Sequence, residues 1–254
     1  MEPAGRHALV TGGGRGIGAA IARALTGAGA AVTVLGRDPA PLGALVAAGG
    51  AAGHVTADVT DDAALAAALA AAERARGPVD ILVNNAGAAE SASFARTDRA
   101  LWDRMLALNL TAVYAATRCV LPGMAGRGWG RVVTVASTAG LTGYPYVAAY
   151  VAAKHGAVGL TRALAREMAR SGVTVNAVCP GYTETGMLER SIATIAARTG
   201  RSREAAQATL AAANPQGRLV RPEEVAAAVL FLCGPGSDAI TGQAIAVAGG
   251  EVMG

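Results

Sequence analysis

Aromatic residues are scarce in this chain: Phe, Trp and Tyr make up 4% of 254 residues, while hydrophobic residues as a whole make up 52%. The core must therefore be aliphatic, built on Ala, Val, Leu and Ile, and such small side chains imply close helix–sheet packing. Cysteine is scarce too. Cys119, Cys179 and Cys233 are odd in number, far apart and without a CxxC pair. That excludes a disulfide framework and a zinc site, and leaves buried, reduced thiols in a cytoplasmic protein as the expectation. Charged residues amount to 16% with a net charge of +4, and no Lys/Arg run is interleaved with aromatics. The charge is that of a solvated surface and not of a nucleic-acid-binding face, although a mild preference for anionic substrates stays open. The opening "MEPAGRHALVTGG" lacks the basic, apolar and cleavage regions of a signal peptide. Residues 132–153 carry no charge, but their Ser, Thr, Gly and Pro break them into strand, loop and helix, so no membrane span is expected.

What is present is an alternation. Short β-branched runs at 7–10, 31–35, 53–57, 80–84, 131–136, 173–178 and 243–247 are separated by helical patterns at 16–28, 39–48, 61–76, 98–124, 148–170 and 222–233. Strands apolar on both faces, with helices between them, predict a parallel sheet covered on two sides. Right-handed crossovers then give an α/β, doubly wound, seven-stranded Rossmann-type sheet, with residues 1–254 as a single domain. Asp38-Pro39 is an N-cap followed by proline at the first helical position, and Arg221-Pro222-Glu223-Glu224 starts the last helix. Gly77-Pro78 ends the third helix. The stretch 182–215 breaks the alternation. It predicts a helical lid, with two short helices at the carboxyl edge of the sheet, where ligands bind.

The run "ALVTGGGRGIGAAIARAL" (8–25) is a strand, a glycine turn and an amphipathic helix. A dinucleotide pyrophosphate needs bare backbone N–H groups at a helix N-terminus, and Gly12, Gly16 and Gly18 provide them beside Arg15 and Ile17. The spacing is G-x-x-x-G-x-G. At the end of the second strand the chain reads "VLGRD", with Gly36 at the position where an acid would hold the ribose of NAD. Arg37 follows, and Arg15 lies within reach of the same region. NADP(H) is therefore favoured over NAD(H). Asp38 is explained by its capping role.

Taken together, "TGGGRGIG" (11–18), "NNAG" (84–87), Asn109, Ser137, "YVAAK" (150–154) and "PG" (180–181) resemble the short-chain dehydrogenase/reductase family in its single-domain form, over nearly the whole chain. The resemblance implies roles. Asp58 and Val59 would contact the adenine. Asn84, Asn85, Ala86 and Gly87 would line the cofactor beside the fourth strand. Pro180, Gly181 and Thr183 would flank the nicotinamide carboxamide. Asn109, Ser137, Tyr150 and Lys154 match the catalytic tetrad, and no metal is implied.

The residue types suit ketone reduction. A free tyrosine has a pKa near ~10, and a lysine four residues on shares its helix face and favours the phenolate together with the oxidised cofactor. Lys154 can also hold the nicotinamide ribose. Ser137 can donate to the substrate oxygen, and Asn109 can hold a water that links Lys154 to solvent if its helix kinks. Tyr144 and Tyr146 have Ala148 and Tyr150 at the i+4 spacing, so they cannot share the role of Tyr150. They pack in the loop before the helix, or one of them touches substrate. His155 faces about 100° away from Lys154 and is structural. His7 and His54 lie in strands without a hydrolase triad.

The stretches 152–187 and 217–250 resemble 3-oxoacyl-thioester reductases and the actinomycete polyketide ketoreductases. The long excursion from Met187 to Pro215 is nearer the latter. The expected substrate is a 3-oxoacyl thioester on CoA or acyl carrier protein, or a polyketide ketone. A catabolic 3-hydroxyacyl-CoA or secondary-alcohol dehydrogenase, and a catalytically silent dinucleotide-binding regulator, are the alternatives. Arg198, Arg201 and Arg203 on the lid would meet a phosphopantetheine or CoA phosphate, or simply face solvent. Arg127 and Arg170 are each offset by about one position from the carrier-protein arginines of that family. The resemblance also implies a homotetramer paired through the helices at 98–124 and 148–170 and through the last helix and strand.

Overall fold

The computed structural model describes residues 3–253. Seven strands form one sheet: β1 (His7–Thr11), β2 (Ala31–Gly36), β3 (Gly53–Thr56), β4 (Ile81–Asn84), β5 (Gly130–Val135), β6 (Val173–Pro180) and β7 (Ala244–Val247). Their spatial order is β3-β2-β1-β4-β5-β6-β7 and every pairing is parallel. All seven predicted strands are present within a residue or two of the expected bounds.

The alternation of side chains along β1 shows how the sheet is covered on two sides. Ala8 and Val10 join a core with Ile21 and Leu25 of α1 (Gly16–Gly27) and Val225 and Val229 of α9 (Pro222–Cys233). Leu9 points to the other face. There it joins Leu65 and Leu69 of α3 (Asp62–Arg76) and Val120 and Met124 of α5 (Ala112–Gly126). Because β1 lies between β2 and β4, the chain reverses its winding there, and the strand ends at that point open a crevice for a ligand.

Local signals act as expected. Asp38 accepts from the Ala40 amide at the start of α2 (Pro39–Ala47). Gly77, at φ 81°, ends α3. The Arg221 amide donates to the Glu224 carboxylate, 2.8 Å away, at the start of α9. His7 is buried and bonded to Thr33 and to the Gly77 carbonyl, as a structural histidine would be.

Two expectations need correction. The helix predicted over 98–124 is not continuous. It runs as α4 (Arg99–Leu106), then a π turn over Ala107–Thr111, then α5. By composition the Arg99–Gly126 run is apolar enough for a bilayer, at mean hydropathy 1.3, yet half of that window is buried in the fold. The cysteines also differ from expectation: Cys179 and Cys233 are buried, but Cys119 lies on the exposed face of α5.

The excursion after β6 forms two helices, α7 (Gly186–Thr199) and α8 (Arg203–Ala211). They enclose a small core of their own, made of Leu188, Ile192, Ala206, Leu210 and Leu219. A single bridge between Thr183 and Val220 ties the two ends of the excursion together. Its packing is thus largely separate from that of the sheet, which suits a segment that opens by itself. Leu210→Ala should raise tryptic cleavage at the exposed Arg201–Arg203 turn at least about tenfold, because buried Leu→Ala costs ~2–5 kcal/mol. The global melting temperature should move by less than about 3 °C; an equal loss in both would show that the lid is not a separate unit.

Candidate active site

The β1–α1 turn is shaped by contacts that leave no room for side chains. Gly12 has φ +63°, and a Cβ there would lie 2.9 Å from the Ala86 backbone. A Cβ on Gly18 would lie 2.3 Å from the Gly12 carbonyl oxygen. Gly16 has φ +52° and faces Thr185, the N-cap of α7, so the lid begins directly over the turn. Asn85 holds the turn from the β4 side. Its side-chain amide donates to the carbonyls of Thr11, at 3.0 Å, and Gly12, at 3.1 Å. The Thr11 hydroxyl accepts from the Asn85 and Ala86 amides. The result is a backbone cradle at a helix N-terminus that fits a pyrophosphate. Ile17 packs, partly buried, on the core below.

Beside the cradle, Arg15 and Arg37 are exposed, as an incoming 2′-phosphate would require. Each already faces a carboxylate: Arg15 is 2.7 Å from Asp38, and Arg37 is 3.7 Å from Asp58. Two hydrogen bonds from Thr60, and then Arg37, hold the Asp58 carboxyl below its ordinary value. Asp38 thus has a second partner beyond its cap. Val59 is buried behind Asp58. The Asn84 side chain, expected to line the cofactor, instead turns away to donate to Thr117 of α5 at 3.0 Å.

Deeper in the crevice the second cluster begins on β5. Ser137, just past β5, caps a short 3₁₀ turn by accepting from the Ala139 amide, and its hydroxyl bonds to that of Tyr150. Tyr150 and Lys154 sit one turn apart on α6 (Ala148–Glu167), with the Lys154 ammonium 5.6 Å from the tyrosine ring centroid. Lys154 is the only lysine in the chain. It is 4% exposed, and its ammonium donates to the Val135 carbonyl at 3.0 Å. Burial lowers its pKa from 10.5 to about 8. Burial raises the Tyr150 pKa above its ordinary value, and the Ser137 bond offsets this in part. Lys154 was expected to favour the phenolate together with the oxidised cofactor; within the protein alone desolvation is the larger effect, so the tyrosine keeps its proton.

Asn109 is fully buried in the π turn. Its side-chain amide donates to the carbonyls of Ala88, at 2.9 Å, and Met105, at 3.1 Å, while its oxygen accepts from the Ala88 amide. It therefore clamps the segment after β4, and Gly87 has no room for a Cβ, which would fall 2.8 Å from the Asn109 oxygen. Pro180 ends β6. The Gly181 amide donates to Val247 and the Thr183 hydroxyl to the Gly181 carbonyl, which fixes the third wall.

Three neighbours were not anticipated. The Cys179 thiol lies against Ser137 and Lys154 and is pushed up to about 11 by burial. Tyr182 adjoins Tyr150. Glu251 reaches back from the C-terminal turn to Tyr144. The one signal for Glu251 was its isolation, as the only acid after Asp238, following two glycines. Tyr146 is 67% exposed with φ +67°, and its carbonyl accepts from the Ala92 amide, joining the two loops at the mouth.

The arginines of the lid are engaged. Arg203 is 2.5 Å from Glu189 and Arg201 is 3.4 Å from Thr209, while the Arg198 side chain lies outside the described residues. Arg127 donates to the Val79 carbonyl at 2.7 Å, and Arg170 is exposed.

Residues 6–196 match the model of the short chain dehydrogenase family. A putative ketoacyl reductase of Streptomyces coelicolor is 47% identical over 68% of this chain and 67% of its own length. A D-beta-hydroxybutyrate dehydrogenase of Cupriavidus necator is 38% identical over 98% of both chains. Among solved structures, a variant of actinorhodin polyketide ketoreductase with NADPH superposes with TM-score 0.93 at 42% identity, over 97% of both chains.

Burying the ammonium has a cost. The drop from 10.5 to about 8 is on the order of 3 kcal/mol at neutral pH. Between those two values the unfolded chain binds more protons, so the fold gains stability as pH rises through that window. Lys154→Met should therefore raise the melting temperature at pH 7 by a few degrees while lowering ketone reduction at least about a hundredfold, and the thermal gain should vanish near pH 10.5. A lower melting temperature at pH 7 would contradict this. Gly18→Ala should weaken dinucleotide binding at least about tenfold, since its Cβ collides with backbone that cannot yield.

Proposed function

Given that the chain belongs to the short-chain dehydrogenase/reductase family of NAD(P)-binding oxidoreductases, we propose that it reduces a ketone to a secondary alcohol with NADPH, through Asn109, Ser137, Tyr150 and Lys154. The observation that carries this reading is the arrangement of the pair on α6: a tyrosine hydroxyl held by Ser137, with the only lysine of the chain buried beneath its ring.

The bound cofactor would supply hydride to the carbonyl carbon. The chain does the rest. Ser137 and Tyr150 hold the carbonyl oxygen, and Tyr150 gives it a proton as negative charge develops there. Lys154, with its pKa near 8, is mostly cationic at neutral pH, and its charge stabilises the phenolate that remains. Asn109 keeps Ala88 and Gly87 in place, so the wall beside Lys154 stays fixed.

Gly12, Gly16 and Gly18 cradle the pyrophosphate in this reading, and the exposed Arg15 and Arg37 favour NADPH over NADH because no acid occupies position 36. Asp58 and Val59 face the adenine, with Ala86, Gly87, Pro180, Gly181 and Thr183 along the nicotinamide end.

The substrate is a small ketone or a 3-oxoacyl thioester. The similarity to a ketoacyl reductase and to a polyketide ketoreductase supports this. A CoA thioester or free ketone is preferred to a carrier-protein substrate, since Arg127 and Arg170 are out of register with the carrier-protein arginines and Arg127 is already engaged with the Val79 carbonyl. The whole chain acts as one domain, in the cytoplasm, as a homotetramer. Tyr114 on α5 and Phe231 on α9, 47% and 54% exposed, mark apolar ground for the two pairing faces.

Absorbance at 340 nm with acetoacetyl-CoA tests the reaction. NADPH should be consumed faster than NADH, and Tyr150→Phe should lower the rate at least about a thousandfold. Arg37→Ala should raise KM for NADPH at least about tenfold. Faster turnover with NADH would overturn the cofactor preference, and undiminished turnover in Tyr150→Phe would overturn the mechanism.

A further inference from the structure

Two cations stand at the adenosine end of the crevice, and each is already matched by an anion. Arg15 and Asp38 occupy the N-caps of two helices, α1 and α2. The first turn of α2 packs directly on the glycine turn: a Cβ on Gly14 would lie 3.2 Å from Leu42 and 3.3 Å from Pro41. That packing brings the two caps within reach of each other. Asp38 divides its carboxylate between them. Oδ1 accepts from the Ala40 amide at 3.1 Å, and Oδ2 accepts from the Arg15 guanidinium at 2.7 Å. The cap holds the carboxylate in place, whereas Arg15 reaches it on a long side chain. Both groups are open to solvent, 75% and 53% exposed, so an incoming ligand meets them directly. The second pair is built differently. Asp58 is held by two bonds from Thr60, and Arg37 lies 3.7 Å from it, beyond hydrogen-bond distance.

A 2′-phosphate needs the guanidinium fork, and a carboxylate on Nη2 already takes part of it. An exposed ion pair of this kind is worth little, so the phosphate displaces it. The displaced carboxylate does not leave with the arginine, because the Ala40 amide keeps it at the cap. Arg15 then draws a phosphate up to an anion that repels it. An uncharged ribose hydroxyl meets no such repulsion.

We propose that Asp38 is a specificity-determining residue that acts against the phosphate. It occupies Arg15 in the free protein, weakens NADPH binding and leaves NADH binding unaffected. The preference for NADPH is thereby held below what Arg15 and Arg37 would give without it. The assignment rests on reading the glycine turn as the dinucleotide cradle.

Calorimetric dissociation constants for NADPH and NADH test it without any ketone. Asp38→Asn removes the charge and keeps the cap, since Asn and Asp cap equally well. It should tighten NADPH binding at least about fivefold and change NADH binding less than about twofold, because only NADPH brings charge beside this carboxylate. Asp38→Ser, also a good cap, should show the same gain and serves if the first variant folds poorly. In an Arg15→Ala background the gain should fall below about twofold, since nothing then draws the phosphate toward position 38. Weaker NADPH binding in Asp38→Asn would overturn the proposal and make Asp38 a residue that holds Arg15 ready for the phosphate. An equal gain for NADH, or a gain that survives in full without Arg15, would overturn it as a general effect of charge. If both nucleotides bind and Asp38→Asn alters neither, the cradle stands and the role of Asp38 is refuted. If neither nucleotide binds the native protein, the cradle reading fails and takes this assignment with it.

Discussion

The site depends on one interaction: a single ammonium held inside the protein by one backbone carbonyl, under the ring of a tyrosine one helical turn away. A chain with 22 basic residues uses arginine for all the others. Arginine cannot lose its proton and demands several acceptors at once. Lysine is compact and satisfied by few partners, so it can be buried where the crevice narrows. Burial at once lowers the Lys154 pKa and raises that of Tyr150. Both shifts come from exclusion of water, and both leave the two groups in the states that the proposed proton donation to a ketone requires.

Several features of the fold maintain that exclusion. The parallel sheet brings the ends of β1, β4, β5 and β6 side by side, so the glycine turn, Gly87, Ser137 and Pro180 meet at one edge. The π turn directs Asn109 inward and ties α4 to the segment after β4. The lid starts over Gly16 and carries its own small core, so it can move while the sheet stays rigid. Rigid strands supply the chemistry, and looser segments at the same edge supply access.

Much of this was legible in the residues because it is local or periodic. Seven apolar runs, the Asp38 and Gly77 signals, the glycine turn and the Tyr150–Lys154 spacing follow from neighbours close in sequence. What was not legible depends on neighbours far apart. Asn84 meets Thr117 across two elements, so its departure from the crevice could not be seen. Arg15 and Arg37 looked free, yet Asp38 and Asp58 come beside them only after folding. The π turn lies inside an unbroken helical pattern, since one extra residue per turn leaves no mark on composition. The exposure of Cys119 follows from which face of α5 the sheet covers. Glu251 stands 107 positions from its partner Tyr144.

The proposed mechanism turns on the charge state of Lys154, and its being the only lysine makes that state directly observable. Protein grown with 13Cε-lysine would show one lysine side-chain signal by NMR, which can be followed through a pH titration. A midpoint near 8 would show an ammonium desolvated by the crevice, as the structure requires. A midpoint near 10.5, the value of a lysine in water, would mean that solvent reaches the group and that the arrangement of Tyr150 and Lys154 described above is wrong.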